Sequence, residues 1–128
     1  MRQTTFLVRM RQLVIGGLGV SAVVHVSQLI IYGTSLSVVV VSVFGLAYAL
    51  IAWAHVRRNP LAPMLSVILP TIGATLGILR FVLLSPNAGS VIDVLLDVIL
   101  VIPASIVLWK THAYTVSTAE STATIPRT

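Results

Sequence analysis

Four runs of about twenty residues, 13–31, 35–56, 61–84 and 91–109, are almost wholly apolar and are divided by only a few residues each. A helix that crosses a bilayer needs a run of that length. The chain has 128 residues, of which 57% are hydrophobic and only 9% charged. Soluble domains carry roughly 25% charged residues, so a water-soluble fold could not cover this much Val, Leu and Ile. Barrel strands would alternate in segments of about ten residues, whereas these runs are continuous. The pattern predicts an all-α, integral membrane four-helix bundle in one domain, residues 1–110.

The separators fit that reading. Tyr32-Gly33-Thr34 is a tight, uncharged turn. Arg57-Arg58-Asn59-Pro60 is a basic turn, with Pro60 and Pro63 suited to opening the third helix. Residues 85–90 are rich in helix breakers, and Ser90 is suited to cap the fourth helix. Pro70 and Pro103 fall inside the third and fourth runs, where kinks are expected. Residues 111–128, rich in Ser, Thr and Ala, are expected to form a short disordered tail. Arg2, Arg9 and Arg11 precede an apolar run that continues past signal-peptide length, so the first helix is expected to be retained.

The net charge of +5 follows the same plan. Arg9, Arg11, Arg57, Arg58 and Lys110 flank the first, second and fourth runs, while the other two turns carry no Lys or Arg. Basic residues favour the cytoplasmic side, which predicts both termini inside a multi-pass protein of the cell membrane. Anionic lipid headgroups account for the basicity, and no nucleic-acid motif is present. Trp53 and Trp109 then fall near the inner interface and Tyr32 near the outer one. With no cysteine, disulfides, thiolate nucleophiles and Cys-ligated metal centres are excluded.

Within the apolar runs stand Arg80, Asp93, Asp97 and His25. A charge at the bilayer centre costs roughly 2.5–3.5 kcal/mol, so such residues pair or line a polar cavity. Counted from the helix ends, His25 lies roughly 9 Å deep, Arg80 roughly 6 Å, Asp93 roughly 3–5 Å and Asp97 roughly 9–11 Å, all in the outer leaflet. Asp93 and Asp97 share a helical face. Gly17, Ser21, His25 and Gln28 form one stripe, and Pro70, Gly73, Gly77 and Arg80 another. Small residues let helices approach closely in lipid, so both polar stripes should point into the bundle. Ser42, Gly45, Ala49 and Ala52 read as a packing stripe on the second helix.

The cluster admits a structural reading, in which Arg80 pairs with Asp93 or Asp97 and fixes helix register. It also admits a functional one. One arginine cannot neutralise two aspartates, so either His25 is protonated or an aspartate holds a proton. No cofactor is expected. A haem between His25 and His55 is disfavoured by their different depths, and a His25/Asp93/Asp97 metal site by the charge of Arg80. The outline is shared by unrelated small membrane families, but small multidrug transporters depend on a first-helix glutamate that His25 does not replace. The leading expectation is an accessory subunit or helix-packing partner of a larger membrane assembly, as a homo-oligomer or with other membrane subunits. The alternative is a homo-oligomeric proton- or cation-coupled transporter or channel using the aspartates. A quinone- or cofactor-binding subunit comes third, and no Ser/His/Asp order, phosphate loop or glycosidase-like carboxylate pair points to a hydrolytic enzyme.

Overall fold

A computed structural model describes residues 2–83 and 88–123. It is all-helical: α1 (Arg2–Tyr32), α2 (Leu36–Val56), α3 (Ala62–Leu83) and α4 (Ala88–Ala123). Each contains a stretch long and apolar enough to cross a membrane: Thr5–Tyr32, Leu36–Val56, Ala62–Leu83 and Val91–Ala113. The expected spans fall within these helices or within a residue of their ends. Ser90 is not a cap, because α4 already opens at Ala88. Residues 85–87 of the third turn lie outside the described residues.

The disordered tail is corrected for most of its length, since α4 runs on through Ala123; residues 124–128 lie outside the description. Extending an existing helix avoids the costly nucleation step, and Ala113, Ala119 and Glu120 are good helix formers. At 1.5 Å per residue, α1 and α4 reach roughly 46 and 54 Å, beyond the roughly 30 Å hydrocarbon core. α3 and α4 run unbroken through their interior prolines, Pro70 and Pro103.

Neighbours in the chain are neighbours in space, and α4 closes the ring against α1. Helices adjacent in the ring are antiparallel: Arg11 meets His55, Gln28 meets Asp93, and Gly73 and Gly77 meet Asp97 and Val94. The α2–α3 contact is the thinnest of the four. Val14, Leu18, Tyr48, Leu100, Ala104 and Val107 form the apolar core. The outer faces of all four helices remain apolar and exposed, from Val23 and Ile30 to Leu50, Val82 and Ile102. An apolar exterior of this extent suits lipid and not water.

The turns are explained locally. Gly33 takes a positive φ of 76° after α1, where a side chain would be strained. At the end of α2, Asn59 N–H donates to Ala54 O and Arg58 N–H to His55 O, with Arg58 at φ 56°. This is a Schellman ending, with Arg58 where glycine is usual. Asn59 Oδ1 then accepts the Leu61 N–H at 2.9 Å, capping the entry to α3 beside Pro60. At this end Arg57 lies 4.8 Å from the Trp53 ring and Lys110 lies 5.3 Å from the Trp109 ring. Two helices thus set an aromatic–cation pair at one level, as a membrane interface favours.

The packing stripe on α2 is corrected in one position. Val38, Ser42, Gly45, Tyr48, Ile51 and His55 are buried, whereas Ala49 is exposed. Both 45–48 and 45–49 are helical spacings, and the fold turns the large aromatic inward. A Cβ on Gly45 would stand 2.8 Å from His25 Cβ and 2.9 Å from Ala22 O, so glycine is what lets α1 approach. Gly45→Leu is therefore expected to destabilise the protein by about 1–3 kcal/mol by overpacking. Ala49→Leu should leave the thermal unfolding midpoint in detergent unchanged; an equal loss in both variants would contradict the assigned face.

Candidate functional site

Three of the four apolar helices bury polar side chains at the aspartate end of the interior. α1 supplies Ser21, His25 and Gln28, α2 supplies Ser42 and Tyr48, and α4 supplies Asp93 and Asp97, all buried. Buried carboxylates are expensive unless hydrogen-bonded. The Gln28 side-chain amide donates to Asp93 Oδ2. The Tyr48 hydroxyl donates to Asp97 Oδ1 at 2.8 Å. Ser42 Oγ shares its one hydrogen between the His25 carbonyl at 3.2 Å and Val38 O at 3.0 Å, tying α2 to α1. The acids of α4 are thereby held by donors from both α1 and α2.

His25 joins the two halves of this network. Its Nδ1 lies 2.8 Å from Ser21 O and 3.4 Å from Asp93 Oδ1. A carbonyl can only accept, so Nδ1 carries a hydrogen and Nε2 is the ring position open to a second proton. That hydrogen is directed to Ser21 O, and Asp93 Oδ1 consequently has no hydrogen-bond partner although it is buried. The Gln28 carbonyl oxygen is likewise buried without one. The His25 and Tyr48 rings pack edge to face with centroids 5.1 Å apart, which fixes the tyrosine above Asp97.

The expected ion pair of Arg80 with an aspartate does not form. Among the described residues, the one contact within ion-pair distance is His25–Asp93, and Arg80 comes within 4.0 Å of neither carboxylate. The reason is the competition for α4's acids: Gln28, His25 and Tyr48 are shorter or already-buried partners, whereas Arg80 is only half-buried near the end of α3. Arg80 still faces the same space. A cavity of about 400 Å³ lies between α2 and α3, with His25, Asp93 and Asp97 at its polar end and Arg80 in its wall. Leu36, Val40, Val41, Phe44 and Leu76 make it otherwise apolar.

Small residues on α3 shape this cavity. A Cβ on Gly73 would collide with the Asp97 carboxylate and the Tyr48 hydroxyl, and one on Gly77 with Val94. Gly17 plays the same part between α1 and α4, against Leu100. Ser21 stands beside His25, with its Oγ 3.4 Å from Nδ1. Pro70 is fully buried one turn below Gly73, while Pro103 is half-buried and belongs to no polar contact. Arg9, Arg11, Arg57, Arg58 and Lys110 lie at the other end of the bundle, and Arg11 donates to the His55 carbonyl that ends α2. No group of three or more His, Asp or Glu side chains among the described residues is placed to hold a metal ion.

Tyr48 is the participant that sequence reasoning passed over. Its signal was present: a tyrosine in the middle of an apolar run carries a hydroxyl that must find an acceptor. Comparison with protein families, curated proteins and solved structures finds no match to this chain.

Removing the hydroxyl in Tyr48→Phe strands Asp97 Oδ1 and is expected to cost about 1–3 kcal/mol of stability. Arg80→Gln should cost clearly less in the same thermal unfolding assay. The swap Arg80→Asp with Asp97→Arg should recover nothing, and recovery would contradict the geometry.

Proposed function

We propose that this is a multi-pass protein of the cell membrane, with both termini cytoplasmic, whose outer-half cavity binds a monovalent cation in exchange with a proton. The observation that carries the reading is the convergence of His25, Arg80, Asp93 and Asp97 on one cavity with apolar walls. With His25 neutral, two carboxylates and one guanidinium leave a single negative charge to be balanced. A proton can balance it, and so can a cation. Three features favour a hydrophobic organic cation over a metal ion: the apolar walls, the ring of Phe44 and the small number of ligating groups. The thin α2–α3 seam would give such a molecule lateral entry from the lipid, and coupling to protons would make the protein a transporter.

The cavity falls within the usual range for small-molecule sites, about 300–1,000 Å³. Tetraphenylphosphonium should bind the purified protein saturably, with binding weakening as acid protonates the site. Asp97→Asn should lower the affinity at least tenfold while the protein remains folded, and should abolish proton-coupled flux in liposomes. Undiminished binding in that variant, or no binding by the unaltered protein, would overturn the reading.

The proposed sidedness has its own test, helped by the lack of cysteine in the chain. In intact cells a membrane-impermeant maleimide should label Ser35→Cys and should spare Asn59→Cys until the membrane is opened. The reverse pattern would invert the topology.

A second reading, assembly as a homo-oligomer or with other membrane subunits, draws on Gly16 and Gly19. Nothing lies within 4 Å of where a Cβ on either would stand, so another helix could approach α1 closely there. Native mass spectrometry after gentle extraction separates the homo-oligomer from a complex with an unrelated subunit.

A further inference from the structure

The opposite end of the bundle carries a second site built on contrary electrostatics. Arg2, Arg9, Arg11, Arg57, Arg58 and Lys110 belong to this end, whereas the chain's three acids are Asp93, Asp97 and Glu120. The two aspartates are committed to the far cavity, so these cations have little internal charge to balance them. Between the start of α1, the α2–α3 turn and α4 lies a cavity of about 260 Å³, lined by Arg11, His55, Arg58, Asn59, Pro63 and Val107 among others.

Its polar lining can supply donors, His55 in the tautomer that carries its hydrogen on Nε2. His55 is 1% exposed, and its Nε2 is buried without a hydrogen-bond partner. Asn59 uses its Oδ1 to cap α3, which leaves its NH2 group to donate. Arg11 gives one hydrogen to the His55 carbonyl and has four further N–H groups. Arg58 occupies a left-handed position, φ 56°, where glycine would relieve the backbone. The backbone N–H groups of Arg57, Arg58 and Asn59 are all spent within the turn, so recognition falls to the side chains.

We propose that this cavity binds a phosphate group, with Arg11 and Arg58 meeting its charge and His55 and Asn59 donating to its oxygens. Its level beside the Trp53–Arg57 and Trp109–Lys110 pairs, and its partly apolar wall, match the headgroup of an anionic phospholipid; a free phosphate shares the chemistry. The site is independent of the cation cavity.

The test uses the full chain in a neutral detergent, titrated with phosphatidylglycerol, phosphatidylcholine or inorganic phosphate, and read by thermal unfolding and native mass spectrometry. Phosphatidylglycerol should raise the unfolding midpoint and remain bound, and phosphatidylcholine should not. Arg58→Gly suits the left-handed backbone, so it should fold at least as well, yet weaken the lipid response about fivefold. Arg9→Gln, an exposed cation not among the cavity-lining residues, should leave the response unchanged. An effect from inorganic phosphate that Arg58→Gly also weakens would keep the site and assign it a soluble phosphate. Equal losses in Arg58→Gly and Arg9→Gln would overturn the proposal in favour of diffuse charge, and so would no response to either phosphate source.

Discussion

The hydrogen bonds that hold Asp93 and Asp97 inside an apolar bundle are the constraint on which the rest of the structure depends. Placing carboxylates among Val and Leu is costly, and one donor lost there costs more than an apolar contact. The donors come from two other helices, Gln28 on α1 and Tyr48 on α2, and the His25 ring of α1 lies 3.4 Å from the remaining oxygen of Asp93. A one-residue slip of α4 would rotate both acids by about 100° and strand them. In lipid, where helices gain little from hydrophobic burial against one another, such polar contacts and close small-residue packing supply much of the specificity.

α3 is held differently, and the cavity follows from that difference. It offers no hydrogen-bond donor to the acids; it packs on α4 through Gly73 and Gly77 and meets α2 only thinly. Three helices are clamped by polar contacts and the fourth leans on them, so space remains at the α2–α3 seam beside the unpartnered oxygen of Asp93. The charge is also divided by end. The aspartates occupy one half of the bundle, where Arg80 is the one arginine lining their cavity among the described residues, and the flanking arginines and Lys110 occupy the other. Such a division matches an anion site at one end and a cation site at the other.

The helices, their order and the inward stripes were legible in the sequence, because long apolar runs with short turns leave few alternatives. The meeting of His25, Gln28, Asp93 and Asp97 was legible too, since depth along antiparallel helices follows from residue count. The partners within the cluster were not. Arg80 looked like the natural mate of an aspartate by charge, but proximity went to Gln28, His25 and Tyr48, and rotation about each helix axis is set by packing that no spacing rule specifies. The same ambiguity hid Tyr48 behind Ala49: both fit the helical period, and only the acceptor on α4 decides between them. The helical extension to Ala123 escaped notice because Ser- and Thr-rich composition argues against nucleating a helix, whereas here one only had to be prolonged.

The central claim is that the cluster accommodates one positive charge, supplied by a proton or by a cation. Infrared difference spectroscopy of the protein in lipid, with and without tetraphenylphosphonium, reads that exchange directly. The account predicts loss of a protonated-carboxyl carbonyl band on binding, with the band altered in Asp93→Asn or Asp97→Asn. A carboxyl region unchanged by saturating cation would contradict it, and the aspartates would then serve only to hold the helices together.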